Sequence, residues 1–181
     1  MDVILVHGLL GNPTNVWFPW LMGELEKQGI AVRSLVMPNP AVPDRDAWVA
    51  TVKDAIKEPG QTILVGHSLG CAAILQAVAA FPPESFPRVI FVAGFGRSFM
   101  AALDTWFPSP IDFEHVRHVS RAWTVIHSTN DRLVPYKEGV WLADRLHAQI
   151  VTKENGHFRV REGAQQLPEV LDAILSTKKD A

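Results

Sequence analysis

Residues 62–73, TILVGHSLGCAA, decide the fold of this chain, because they join two buried elements through one sharp turn. The run Ile63-Leu64-Val65 has the composition of a strand that is covered on both faces. Residues 69–80 are apolar nearly all round, which is typical of a buried central helix. The stretch is therefore predicted to form a strand, a tight turn and a helix, with Ser68 at the apex of the turn.

Glycines lie two positions before and two positions after Ser68. This is the spacing G-x-S-x-G of a nucleophile elbow, a strained turn in which glycines are needed because a Cβ atom would collide with its neighbours. Such a turn holds the serine hydroxyl above the carboxyl end of the sheet. The alternative is a glycine-rich turn that only packs closely and carries no chemistry. We predict that Ser68 is a nucleophile.

An acid and a histidine follow Ser68 in the order that this kind of elbow requires. Asp131 comes shortly after a predicted strand at residues 123–127, and His157 lies in the loop after a predicted strand at residues 148–151. The carboxyl ends of parallel strands meet at one edge of a sheet. We therefore expect His157 to act as the base for Ser68, and Asp131 to orient the imidazole.

Two backbone N–H groups are expected to hold the negative oxygen that forms during such a reaction. The residue after the nucleophile, Leu69, supplies one of them. The loop Gly8-Leu9-Leu10-Gly11 follows the first predicted strand and supplies the other, which we assign to Leu9 with Leu10 as the alternative. A plain strand-to-helix turn is the other interpretation of this loop.

Three further acids compete with Asp131 for the role of the acid. Asp104, Asp112 and Glu114 lie in a segment without a preceding strand, which disfavours them.

Five further histidines need an interpretation. The backbones of His7 and His67 are expected to matter more than their rings, and His127 is interpreted as a packed core residue. His115 and His118 are one helical turn apart and could form half of a metal site, but no thiol or clear third ligand accompanies them. No metal and no cofactor is predicted.

Strands and helices alternate along the whole chain, which predicts an α/β sheet with right-handed crossovers. We expect a single three-layer domain over residues 1–181 with six parallel strands in the order 2-1-3-4-5-6. The aromatic residues 94–121 are interpreted as a small lid or pocket wall, and residues 176–181 as a frayed tail. The predicted strands cover residues 3–6, 30–36, 63–65, 89–93, 123–127 and 148–151.

Composition excludes several classes of protein. The 17 basic and 19 acidic residues give a net charge of −2, and they are scattered, so neither nucleic acid nor an anionic membrane is an expected partner. No apolar run reaches the roughly 18 residues of a membrane span. The first residues lack the basic region of a secretory signal, so a cytoplasmic location is expected. Cys71, the single cysteine, excludes an intrachain disulfide and is predicted to be a buried filler.

Several motifs together resemble the compact serine hydrolases of the α/β-hydrolase superfamily typified by retinoblastoma-binding protein 9. They are Met37-Pro38-Asn39-Pro40, the elbow Gly66 to Gly70, Pro135-Tyr136-Lys137-Glu138, Ala143-Asp144-Arg145-Leu146 and Gly156-His157-Phe158. The resemblance implies an α/β-hydrolase fold, a triad of Ser68, Asp131 and His157, no cofactor and no large cap domain.

One departure from that family concerns a partner. The L-x-C-x-E segment that binds retinoblastoma protein would fall at residues 56–60, where this chain has Glu58 and Gly60 in place of Cys and Glu. A partner of the retinoblastoma type is therefore not predicted.

The predicted function is esterase-like hydrolysis of a small uncharged ester, thioester or amide through an acyl-enzyme. The small-molecule acyl substrate is expected to contact Leu9, Leu10 and the aromatic residues of the segment 94–121. Two alternatives remain: a peptidase that acts on short peptides, and a non-catalytic interaction module on the same fold. The sequence leaves the oligomeric state open.

Overall fold

A computed structural model describes residues 1–177 as one six-stranded sheet with helices on both faces. The strands are Asp2–Val6 (β1), Ala31–Ser34 (β2), Thr62–His67 (β3), Arg88–Val92 (β4), Trp123–Ser128 (β5) and Gln149–Lys153 (β6). The helices are Phe18–Lys27 (α1), Arg45–Ala55 (α2), Leu69–Val78 (α3), Phe113–Val116 (α4), Tyr136–Leu146 (α5) and Pro168–Thr177 (α6). Short 3₁₀ turns cover Pro59–Gln61, Ala101–Trp106 and Val160–Glu162.

All neighbouring strands are parallel, and their order is β2-β1-β3-β4-β5-β6. The predicted α/β-hydrolase fold and strand order are thereby confirmed. Strand β3, which leads to Ser68, is buried along its whole length, whereas the edge strands β2 and β6 are partly exposed. The loops that follow all six strands therefore meet at one edge, which we call the carboxyl edge.

Side chains of the strands alternate between two apolar clusters, as the period of two in a strand requires. Ile4 and Leu64 pack into the cluster that holds α2, α3 and α5. Val3 and Ile63, one residue earlier, pack into the cluster that holds α1 and α6. The sheet is thus covered on both faces, and none of the helices among residues 1–177 is both long and apolar enough to span a membrane.

The structure differs from the predicted elements at several ends. Strand β2 stops at Ser34 rather than at residue 36, because the chain turns so that the N–H of Met37 reaches the ring of His7 at 3.4 Å. Helix α6 continues through Thr177, whose hydroxyl accepts a hydrogen bond from Nε of Arg88 at 2.7 Å. The rest of the predicted tail, residues 178–181, lies outside the described residues. The segment 94–121 contains one 3₁₀ turn and α4, and its action as a lid stays a prediction.

Gly70 sets how closely α3 approaches β1. A Cβ atom at this position would lie 2.2 Å from the carbonyl oxygen of Val6 and 2.7 Å from that of His7. Both oxygens belong to the backbone and cannot swing aside. We expect Gly70→Ala to lower the free energy of unfolding by about 3 kcal/mol, measured by urea denaturation.

Gly23 is the matched control for this prediction, because it lies in α1 and a Cβ atom added there would have nothing within 4 Å. Gly23→Ala is expected to raise the free energy of unfolding by about 0.5–1 kcal/mol through the helix propensity of alanine. Equal effects of the two substitutions would contradict the close approach of α3 to β1.

Candidate active site

Ser68 has the backbone conformation of a strained turn. Its φ of 54° and ψ of −121° are unfavourable for a residue with a side chain, and its N–H donates to the carbonyl of Val92 at 2.9 Å. A Cβ atom on Gly66 would lie 2.9 Å from backbone atoms of Cys71, so the turn needs glycine there. Ser68 is partly exposed at the carboxyl edge, where its hydroxyl can meet a ligand.

The loop after β1 lies directly against Ser68. A Cβ atom on Gly8 would be 2.9 Å from Cβ and 3.4 Å from Oγ of Ser68. The next two residues differ in the use of their N–H groups: Leu10 donates to the carbonyl of Pro40 at 2.7 Å, whereas Leu9 has no acceptor among the described residues. Leu69 likewise has none there. Of the two leucines predicted as donors from this loop, only Leu9 has an N–H that is free to bind a ligand.

His157 and Asp131 are brought together by a hydrogen bond. Nδ1 of His157 lies 2.8 Å from Oδ2 of Asp131, and because a carboxylate only accepts, Nδ1 carries the proton. The other oxygen, Oδ1, accepts from the N–H groups of Leu133 at 2.8 Å and Val134 at 3.0 Å. This arrangement leaves Nε2 of His157 with its lone pair available as a base.

Asp131 stays ionised in this site. Burial by itself raises the pKa of Asp131, but the hydrogen bond from His157 and those from Leu133 and Val134 outweigh it. The net result is a pKa below the ordinary value of a carboxyl group. The negative charge therefore remains beside the imidazole, where it favours a protonated His157.

Ser68 is joined to this pair by proximity rather than by a hydrogen bond. The ring of His157 lies 5.0 Å, centroid to centroid, from that of His67, the residue directly before Ser68. Among residues 1–177, Oγ of Ser68 has no hydrogen-bond partner, and the hydrogen bonds of such sites commonly tighten when substrate binds.

Two side chains hold the backbone of His157, and the sequence analysis assigned neither of them. Nε2 of His67 donates to the carbonyl of His157 at 2.9 Å, and a carboxylate oxygen of Glu162 accepts from the N–H of His157 at 2.8 Å. The expectation that the ring of His67 matters little is therefore wrong. A histidine inside the elbow was a usable signal, but Glu162 carried none, because its role depends on how the loop folds back.

The ring of His7 also has a structural part that was not expected. Its Nδ1 donates to the carbonyl of Gly8 at 2.9 Å, and its Nε2 accepts from the N–H of Met37 at 3.4 Å. The ring also packs edge-on against Trp48 at 5.7 Å. His7 therefore ties the loop after β1 to the loop after β2.

Comparison with known proteins identifies the family of this chain. The model of the family described as serine hydrolase matches residues 3–176. This chain belongs to the serine hydrolase family. The structure around Ser68 and the confirmed fold agree with that assignment.

Relatives of this serine hydrolase extend along nearly its whole length. It is 33% identical to YdeN of Bacillus subtilis (strain 168) over 182 residues, which cover 97% of this chain and 95% of YdeN. It is 25% identical to serine hydrolase RBBP9 of Rattus norvegicus over 152 residues, covering 82% and 81% of the two chains. The crystal structure of the ydeN gene product superposes with a TM-score of 0.89 at 31% identity and covers 98% of each chain.

More distant structures share the fold. Est1E from Butyrivibrio proteoclasticus, solved with ferulic acid bound, has a TM-score of 0.70 at 16% identity, over 96% of this chain and 89% of its own. At that identity the likeness concerns the fold alone.

The competing acids of this serine hydrolase have other partners. Asp104 accepts from the hydroxyl of Ser98 at 2.6 Å, Asp112 caps α4 through the N–H of His115 at 3.1 Å, and Glu114 pairs with Arg117 at 2.6 Å. Among the residues that the structure describes, none of the three acids contacts His157, whereas Asp131 does.

The remaining histidines are held by backbone carbonyls. His127 is fully buried, as predicted, and its Nε2 donates to the carbonyl of Val134 at 3.0 Å, 3.9 Å from Oδ2 of Asp131. Burial lowers the pKa of His127, which keeps it neutral. Nε2 of His115 bonds to the carbonyl of Phe81 at 3.0 Å, and no group of three metal-ligating side chains occurs within residues 1–177.

The aromatic segment borders a cavity of about 560 Å³ between itself and α5. Phe107, Phe113 and Trp141 line this cavity, and neither Ser68 nor His157 is among its lining residues. The largest recess beside residues 94–121 is therefore not formed by the nucleophile.

His67 makes the stability of this serine hydrolase depend on pH. Burial, together with the neighbouring His157, lowers the pKa of His67 from 6.5 to about 3. Between these two values the unfolded chain binds a proton at this position and the folded chain does not. The free energy of unfolding therefore falls as the pH decreases through that window, by up to about 1.4 kcal/mol per pH unit from His67.

His67→Gln tests this dependence, since a glutamine amide can donate to the same carbonyl but does not titrate. Urea unfolding at pH 6.5 and pH 5 is expected to show a loss of stability that is smaller in the variant by about 1.5 kcal/mol. His7 and His127 also have lowered pKa values and contribute equally to both proteins. An identical pH dependence of variant and wild type would contradict the neutral, buried state of His67.

Proposed function

We propose that this serine hydrolase is an esterase that cleaves a small ester, thioester or amide through an acyl-enzyme. The observation that carries the proposal is the 2.8 Å hydrogen bond between Asp131 and His157 at the edge of the sheet where Ser68 stands in a strained turn. A serine hydroxyl is a weak nucleophile, and a histidine oriented by a carboxylate is the arrangement that activates it.

In the first half of the proposed reaction, Nε2 of His157 takes the proton from Oγ of Ser68, and Oγ attacks the carbonyl carbon of the substrate. The bond to the leaving group then breaks, and His157 returns the proton to that group. The products of this half are the free leaving group and an ester on Ser68. In the second half, His157 takes a proton from water, which attacks the acyl carbon and releases the acid from Ser68.

The N–H groups of Leu9 and Leu69 are proposed to bind the negative oxygen in both tetrahedral intermediates. Both are without a protein acceptor among the described residues, and Gly8 brings the first of them beside Ser68. Loss of one such donor typically costs about 2.7–4 kcal/mol of transition-state stabilisation. Leu10 is unsuited to this role, because its N–H is already donated to Pro40.

Labelling with a fluorophosphonate probe tests the proposal, because the probe reacts only with an activated serine. We expect the wild-type protein to be labelled and Ser68→Ala to be unlabelled, with hydrolysis of p-nitrophenyl acetate lost in parallel. Ser109→Ala, which removes an exposed hydroxyl elsewhere, is the matched control and should be labelled like the wild type.

Two results would contradict the proposal in different ways. A folded wild-type protein that is not labelled would indicate a non-catalytic interaction module. A protein that is labelled at Ser68 and cleaves short peptides but no ester would indicate a peptidase.

A further inference from the structure

Four large aliphatic side chains are exposed on the two loops next to Ser68. We call this set the β1–β2 platform: Leu9 (52% exposed), Leu10 (70%), Val36 (78%) and Val42 (81%). Leu9 and Leu10 follow β1, and Val36 and Val42 follow β2. The two loops are fastened to each other by the hydrogen bond from Leu10 to Pro40 at 2.7 Å and by that from Met37 to His7 at 3.4 Å.

The platform is also free of charge. Residues 7–17 and 35–43, which form the two loops, contain no lysine, arginine, aspartate or glutamate. The loops after β5 and β6 are different, since they carry Asp131, Arg132, Glu154 and Arg159. The carboxyl edge therefore has one uncharged apolar side and one charged side, with Ser68 between them.

The stereochemistry of the proposed reaction assigns these two sides, and the inference rests on that proposed function. The tetrahedral carbon carries Oγ of Ser68, the negative oxygen, the leaving group and the acyl chain. His157 must protonate the leaving group, so that group lies on the side of His157. Asp131 and His157 come from the loops after β5 and β6, whereas β1 and β2 lie on the opposite side of β3. The acyl chain is left to point toward β1 and β2.

We propose that the β1–β2 platform binds an uncharged, straight aliphatic acyl chain of medium length. The occupant follows from the position of the surface beside the nucleophile, from its lack of charge and from the four exposed aliphatic side chains. Covering them removes apolar surface from water on both partners, and each methylene of the chain that is buried adds to the binding of the transition state. The natural substrates are then esters or thioesters of such acids.

Chain-length dependence tests the proposal with p-nitrophenyl acetate, butanoate and octanoate below their micelle concentrations. We expect kcat/KM to rise about tenfold from acetate to octanoate in the wild-type protein. In the double variant Val36→Ser, Val42→Ser we expect the octanoate-to-acetate ratio of kcat/KM to fall about five- to tenfold. Both side chains are exposed, so their replacement should leave the fold intact.

Val140 provides the matched control, because it is a 43% exposed valine on α5, outside the platform. Val140→Ser is expected to keep the wild-type ratio. A labelled enzyme that hydrolyses acetate with a ratio near one, or a ratio that falls equally in the control, would overturn the platform and leave the esterase proposal standing. A protein that the fluorophosphonate probe does not label would overturn both.

Discussion

His157→Ala is expected to lower kcat for p-nitrophenyl acetate by about 10⁶-fold, since the serine then has no base. The reason lies in the position of the ring: its Nδ1 is held by Asp131 at 2.8 Å, and its free Nε2 is the base that we propose for Ser68. Single-turnover hydrolysis measures the loss. The rate that remains should be close to that of Ser68→Ala, because the two residues act as a unit.

His118 is the control for this substitution. It is an exposed histidine whose only hydrogen bond among the described residues is with Arg117, at 3.2 Å. His118→Ala should keep kcat within about twofold of the wild type. Should His157→Ala retain more than a tenth of the activity while its urea midpoint is unchanged, the assignment of His157 as the base would be wrong.

Asp131→Asn is expected to lower kcat by about 10⁴-fold while the fold persists. The amide oxygen can still accept from Leu133 and Val134, which now bond to Oδ1. The amide NH₂ then faces Nδ1 of His157 and makes it an acceptor, so the proton moves to Nε2. The ring is left in the tautomer that cannot take a proton from Ser68.

The matched control is Asp104→Asn, because Asp104 is an exposed acid of the aromatic segment. It is expected to change kcat by less than about twofold, and the pH profile of kcat/KM should keep its shape. A large loss in Asp104→Asn with normal activity in Asp131→Asn would transfer the role of the acid to the aromatic segment.

The pattern of the sequence was sufficient for the fold. Short apolar runs such as residues 3–6 and 63–65 alternate with amphipathic helices, and this alternation predicted the parallel sheet and its order, which the structure confirms. Glycines at 66 and 70 likewise indicated the strained turn, because both positions require the absence of a Cβ atom. The membership in the serine hydrolase family, suggested by the motifs, is confirmed by the match over residues 3–176.

The use of individual polar groups could not be predicted in the same way. The choice between Leu9 and Leu10 depends on Pro40, about 30 positions away, whose carbonyl takes the N–H of Leu10. The ring of His67 depends on the carbonyl of His157, a partner 90 positions along the chain. Such contacts follow from the path of loops, which local periodicity does not describe.

By itself, the sequence determined the sheet, the strained turn and the residue types near it, since burial and backbone strain act over a few neighbouring residues. Only the tertiary structure decided which N–H groups stay free, how the backbone of His157 is held by His67 and Glu162, and where exposed aliphatic side chains gather beside Ser68. Hydrogen bonds are directional and short, so their partners are known only once distant loops lie side by side.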